Sequence, residues 1–311
     1  MILQLLNVVM PVFLVIGAGY IAVKLNLFKS SAVDGLMSFT QGFAIPCLLF
    51  LSIMRLDFAA VFDWRLMVAF YTGAILSFTI AIIGARTLFH RRPGDSVAIG
   101  FAAMFSNSLL LGLPIMERAY GTDALAGNYA IISIHAPLLY LIGITVMEAS
   151  RADGRGVVGT ASAVMKAMFR NTLMIGLALG FAVNITNITL PETLISATEM
   201  VASAALPAAL FALGGTLTRY SLRASLGEAS MISTLKLMLH PAIAYVMCTV
   251  VFDLPIEFTR SAVITAAMAP GINAYVFANM YNRAKGAAAS AVLLGTVASI
   301  FSASMWLAIL G

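Results

Sequence analysis

Two short stretches of this sequence set polar and helix-breaking residues inside long apolar runs. The first is Ser106-Asn107-Ser108, followed by Gly112 and Pro114. The second is Pro270-Gly271-Ile272-Asn273. Proline removes a backbone donor and clashes with the turn before it, and glycine permits an open backbone. A helix interrupted there acquires new ends. The N-terminal end of each second half presents unpaired N–H groups and partial positive charge. Two such ends brought together would hold a carboxylate without any charged side chain. Asn107 and Asn273 would add amide donors, and Ser106 and Ser108 would add hydroxyls. Such a cradle suits a ligand that must leave again, because a buried Arg or Lys would hold an anion more tightly.

The surrounding sequence is that of a membrane protein. Of 311 residues, 61% are hydrophobic and 10% charged, against about 25% charged in a soluble domain. No soluble fold has interior enough for this much apolar sequence, so the excess faces lipid. A bilayer core takes about 20 apolar residues of helix to cross. Ten runs meet that requirement, at 5–25, 32–54, 65–86, 95–117, 124–148, 168–188, 194–218, 229–252, 258–281 and 286–310. Barrel strands would alternate apolar and polar residues, and these runs do not. The first run is too long for a signal peptide and has no basic region before it. In the eighth run Lys236 is expected near an end, snorkelling to the interface.

The loops set the orientation. Arg55, Arg65, Arg118 and Arg260 fall on one side of the ten runs, and the other 14 of the 18 basic residues fall on the opposite side. The positive-inside rule makes that richer side cytoplasmic and leaves both termini outside. The net charge of +5 is therefore a matter of topology and implies no nucleic-acid partner. Partners are the bilayer and a small organic anion, and a homodimer is one assembly left open.

The halves of the chain repeat. Ala44-Ile45-Pro46-Cys47-Leu48-Leu49-Phe50 in run 2 matches Ala205-Leu206-Pro207-Ala208-Ala209-Leu210-Phe211 in run 7. Ala102-Ala103-Met104 before Ser106-Asn107 in run 4 matches Ala266-Ala267-Met268 before Pro270 in run 9. Both matches pair runs five apart. The expected organisation is a first repeat at 1–148, a cytoplasmic linker at 149–167 and a second repeat at 168–311. With five runs in each half, the second repeat enters the membrane from the opposite side, as in many secondary transporters. Asn107 lies roughly 18 Å along the helix from Asp95, near the middle of a core about 30 Å thick. Gly112, Pro114, Pro46 and Pro207 are read as helix breaks or kinks that shape the scaffold. Gln41, Ser52, Tyr129, Tyr140 and Tyr275 are further candidates for the cavity wall, and Met104 and Met268 are packing residues.

Chemistry other than transport finds little support. Three His and two Cys (Cys47 and Cys248) form no metal-type cluster, and no cofactor is expected. Asp34 and Glu199 sit near run ends, where an interfacial role suffices. His135 and His240 lie mid-run and are candidates for a proton relay, with a hydrogen-bonded structural role as the simpler reading. The two lack HExxH-type spacing and no GxSxG motif is present, so a membrane-embedded enzyme is a remote alternative. A sensor is another, but the sequence carries no attached soluble domain to report a signal.

With these motifs in order, the sequence resembles the auxin efflux carrier family, in particular its bacterial members. The resemblance rests on Ser106-Asn107, Gly112-Leu113-Pro114 and Tyr120-Gly121 in run 4, on Ala44-x-Pro46 in run 2, and on Pro270-Gly271-Ile272-Asn273 through Phe277-Ala278 in run 9. It covers nearly the whole chain. It implies an all-α integral membrane fold of ten transmembrane helices in two inverted five-helix repeats. Helices 4 and 9 would be broken and cross near the bilayer midplane within a transport domain that works against a scaffold. It implies carriage of acids such as malate or malonate, with Asn107 a substrate contact and Pro270 the crossover proline. The long central loop of the plant members is missing, so auxin itself is not implied. A bile-acid-type sodium-coupled organic anion symporter of similar architecture is the alternative within transport.

Overall fold

The structure is a computed structural model that describes residues 2–55, 63–151, 172–220 and 225–311. Most of the expected linker 149–167 lies outside the described residues. The described chain is helical, and its single extended pairing is an isolated antiparallel bridge between Ser106 and Pro270.

In chain order the helices are α1 (Ile2–Lys24), α2 (Ser30–Phe39), α3 (Ile45–Met54), α4 (Trp64–Thr87), α5 (Pro93–Met104), α6 (Leu113–Tyr120), α7 (Ala126–Arg151) and α8 (Thr172–Thr186). Then come α9 (Glu192–Ser203), α10 (Ala205–Leu217), α11 (Leu226–Thr234), α12 (His240–Val246), α13 (Ile256–Ala266), α14 (Ile272–Tyr281) and α15 (Lys285–Leu310). Local chemistry sets many of the boundaries. Asp63 caps α4 by accepting from the Arg65 amide at 2.8 Å, and the Arg65 side chain bonded to it holds its carboxyl below the usual carboxylate range. Pro93 stands in the first turn of α5, where its missing N–H costs nothing. Gly121 ends α6 at φ +84°, and Asn282 ends α14 in the left-handed region.

Six stretches are long and apolar enough to cross a membrane, Ser30–Met54, Trp64–Thr87, Thr122–Ser150, Glu192–Leu217, Leu226–Val251 and Lys285–Leu310. Val8–Lys24 and Ile175–Thr186 are shorter apolar helices. The remaining two apolar runs are each cut in the middle, the fourth into α5 and α6 and the ninth into α13 and α14. Large apolar side chains such as Met200, Val250 and Phe301 stand on the outside, each more than 70% exposed. Apolar side chains are thus at home on the outer faces, as a lipid-facing helix requires.

The chain forms two compact units. One comprises Met1–Pro11, Phe62–Gly156 and Tyr220–Gly311, and the other Val12–Val61 and Val157–Arg219. In the second unit α1 and α10 pack backbone to backbone. A Cβ on Gly214 would come within 1.8 Å of the Ile16 carbonyl oxygen, so only glycine fits there. Pro46 stands in the first turn of α3, after the π-helical turn Thr40–Ala44. Pro207 stands in the first turn of α10, after the break at Ala204. Both prolines therefore follow an interruption and remove no hydrogen bond from a regular helix. Asp34 pairs with Arg219 at 2.6 Å and Glu199 with Arg55. All four side chains are at least one-third exposed.

One expectation is overturned. Lys236 does not reach an interface, because its side chain is fully buried in the first unit. It sits in a π-helical turn, Leu235–Leu239, inside the continuous stretch Leu226–Val251. Hydrogen bonds to neighbouring elements hold it there, as described below.

Candidate functional site

The site lies in the first unit, where the two broken runs meet. Helix α5 stops at Met104 because Phe105 turns to an extended conformation, with ψ 104°. Helix α13 stops at Ala266, and residues 267–271 run without helix up to α14. The two open segments pair with each other. The Asn107 amide donates to the Ala269 carbonyl at 2.9 Å, and the Gly271 amide donates to the Phe105 carbonyl at 3.1 Å. These two bonds satisfy groups that would otherwise be stranded in an apolar interior. They also set the starts of both second halves side by side. One begins at Ser108, in a π-helical turn to Gly112 that leads into α6, and the other begins at Ile272. The first amides of each half have no partner within their own helix.

Small residues permit the approach. A Cβ on Gly295 of α15 would come within 2.6 Å of Pro270 Cδ. Aromatic rings build the wall, with Phe101 of α5 stacked on Phe277 of α14 at a centroid distance of 3.9 Å. Tyr140 of α7 packs against both rings, and its hydroxyl donates to Asn273 Oδ1 at 3.3 Å.

Ser106, Asn107 and Ser108 are all buried. The Ser106 hydroxyl and the Asn107 Nδ2 have no hydrogen-bond partner. Buried polar groups without partners are rare and call for an explanation. Here they lie beside two unpaired helix starts. His135 of α7 lies edge-on to Phe105 with centroids 4.8 Å apart, and the Ser106 backbone runs alongside it. Neither of its ring nitrogens makes a hydrogen bond of normal geometry. The structure thus brings together Ser106, Asn107, Ser108, Pro270, Gly271 and Asn273, with Gly112 in the same turn and Pro114 opening α6. Pro46, Pro207, Gln41 and Ser52 belong to the other unit.

His240 is held on both ring nitrogens. Its Nε2 lies 3.0 Å from the Phe70 carbonyl, and its Nδ1 lies 2.7 Å from Lys236 Nζ. The Lys236 amine also donates to the Ala266 carbonyl at 2.9 Å, at the end of α13. The signal for this pair was in the sequence, since residues four apart on a helix face each other. Asn128 of α7 and Thr265 of α13 form a second buried pair, Nδ2 to Oγ1 at 2.8 Å. No sequence spacing announced that one.

Comparison with known proteins finds membrane transporters. A family model described as "Membrane transport protein" matches residues 5–307. An "Uncharacterized transporter" of Methanothermobacter thermautotrophicus is 26% identical over 97% of this chain and 97% of its own length. A "Putative malonate transporter" of Rhizobium meliloti is 23% identical over 96% of this chain and 93% of its own. A mouse "Lysosomal cholesterol signaling protein" is 29% identical over 49% of this chain, which is 18% of that protein.

Proposed function

Because the chain belongs to the membrane transport protein family, that of the auxin efflux carriers, we propose that it moves a small organic anion across the bacterial inner membrane by alternating access. The substrate class is a mono- or dicarboxylate such as malate or malonate. The observation that carries this reading is the pair of helix starts at Ser108 and Ile272, beside the unpartnered Ser106 hydroxyl and Asn107 amide. Donors gathered at two adjoining helix starts, with no carboxylate among them to repel an anion, suit a carboxylate. The name carried by the Rhizobium relative agrees with that chemistry.

The same reading takes all ten apolar runs as membrane passes, in two inverted repeats of five, with the two broken runs crossing near the midplane. The unit containing the crossover carries the substrate, and the other serves as scaffold. Within the first unit, Arg118 donates to the Val8 carbonyl, Arg260 donates to the Gly311 carbonyl, and the Arg260 guanidinium lies over the Tyr120 ring. That clustering supports a common outer side for these arginines and both termini.

The test is counterflow of labelled malonate and malate in proteoliposomes. Asn107→Ala is expected to abolish it while the thermal unfolding of the purified protein stays near that of the parent. Full transport by that variant would remove Asn107 from the site. Uptake that requires sodium would favour a bile-acid-type symporter instead.

A further inference from the structure

Among the described residues Lys236 is the one fully buried cation, and no carboxylate bonds it. Its partners determine where a proton can reside. A carbonyl oxygen only accepts, so His240 Nε2, 3.0 Å from the Phe70 carbonyl, carries a hydrogen. The amine is intrinsically the more basic of the two groups, so the proton between them stays on Nζ and His240 Nδ1 is the lone-pair acceptor. The imidazole is neutral with both nitrogens occupied. Lys236 Nζ donates one hydrogen to Nδ1 and another to the Ala266 carbonyl. A neutral amine supplies both of these donors. An ammonium supplies the same two and carries one proton more, so the pair holds a single exchangeable proton, on Nζ.

The surroundings could accommodate either state. Ala266 is the last residue of α13, whose terminal carbonyls favour a cation. The other titratable groups nearby are His135, which like His240 packs on the Phe70 ring, Tyr71 beside Phe70 and His135, and Tyr245 and Cys248 further along the same stretch. Tyr71 donates to the Ile131 carbonyl. The charged residues of the packed elements are engaged or terminal. Glu228 of α11 is bridged to Arg91, and Asp95 of α5 accepts from the Ala284 amide. Arg65 and Arg86 lie at the two ends of α4, Glu257 and Arg260 in the opening turns of α13, and Lys285 opens α15. The pair is also joined directly to the crossover. Three residues after Ala266, the Ala269 carbonyl accepts the Asn107 amide.

We propose that Lys236, held by His240, is the binding site of a coupling proton that travels with the substrate anion. The proposal rests on the reading of the crossover as an anion site. The amine takes a proton from the side on which the anion enters and releases it on the side where the anion leaves. One negative charge at the crossover and one ammonium at Lys236 cancel. An empty site with a neutral amine is uncharged as well. Anion alone or proton alone leaves a net charge within the membrane, which is costly, so both half-loaded forms are held back. A substrate carried as its monoanion, a dicarboxylate with one carboxyl protonated included, and a proton then move together and electroneutrally. The π-helical turn carrying Lys236 is of a kind often found at functional sites.

Two experiments on the full-length protein test this. The first needs no substrate and follows the ¹⁵Nζ lysine signal that is lost in K236Q, in nanodiscs, by NMR. It is expected to pass between its two protonation states within the pH range over which the protein stays folded, and a single state throughout would overturn the proposal. If K236Q does not fold, H240N identifies the signal by displacing it. The second measures malonate uptake into proteoliposomes with an imposed pH gradient and the membrane potential clamped. A gradient acidic on the side of entry is expected to stimulate wild-type uptake several-fold without sodium, and K236Q to lose that response. Measurable wild-type uptake indifferent to the gradient would also overturn it. A titrating Nζ in a protein that carries no organic acid would instead refute the transport reading and leave the proton site standing.

Discussion

The hydroxyl of Tyr140 donates to Oδ1 of Asn273 across 3.3 Å, and so fixes which face of that amide turns toward the crossover. An amide held by its oxygen presents its NH₂ away from the tyrosine. Asn273 is the second residue of α14, where the first amides are unpaired. Tyr140 is thus a positioning residue for a donor beside the proposed anion site.

Tyr140→Phe keeps the ring that packs on Phe101, Phe105 and Phe277 and deletes the hydrogen bond. A net bond of this kind is worth about 1 kcal/mol, which corresponds to roughly a fivefold change in affinity. The expected result is a KM for malonate uptake raised by about that factor, with thermal stability unchanged. An unchanged KM would mean that the Asn273 amide is oriented by something else or does not meet the substrate.

The Asn128–Thr265 bond joins α7 to α13, and both residues are fully buried. Asn128 Oδ1 already lacks a partner. Thr265→Val would leave the whole amide unpaired, at a cost of about 1–3 kcal/mol. The expected outcome is a lower melting temperature in detergent. Adding Asn128→Leu to Thr265→Val should cost less than the two single changes summed, because the pair is then replaced by apolar groups. Strict additivity would show that the bond contributes nothing.

Legibility in the sequence divided along physical lines. The breaks at Ser106-Asn107 and Pro270-Gly271 were readable because they are local, with polar or backbone-restricted residues standing in apolar runs. The two breaks are joined by the bridge between Ser106 and Pro270. Lys236 was misplaced because a charge in an apolar run reads as the mark of an end. What buries it is the carbonyl of Ala266, 30 residues away, and hydropathy does not register such a partner. His240 had two readings, relay or structural, and its hydrogen bonds are compatible with both. The orphaned nitrogens of His135 and the hydroxyl of Ser106 were beyond reach, since lacking a partner is a property of three-dimensional surroundings. Asn128 and Thr265 are separated by 137 residues, and no local pattern links them.

The tightest constraint on the crossover comes from α15. Gly295 faces the Pro270 ring, and an added Cβ would lie 2.6 Å from Cδ and 3.6 Å from the Ala269 Cβ. The proline ring is rigid and cannot rotate away as a long side chain would. Gly295→Ala must therefore push α15 back or displace the segment whose Ala269 carbonyl receives the Asn107 amide. Overpacking of this kind costs about 1–3 kcal/mol. Alanine is the better helix former by about 1 kcal/mol, so the net loss of stability should be modest. The effect on transport should be larger, because the bridge between Ser106 and Pro270 sets the spacing of the two helix starts. The expected variant folds, melts at most a few degrees lower, and loses most of its malonate counterflow. Gly295→Ser should behave in the same way, whereas Gly112→Ala, whose Cβ would meet nothing closer than 3.6 Å, should retain transport. If G295A transports normally, the crossover tolerates displacement and the fixed spacing of the helix starts is not what holds the anion.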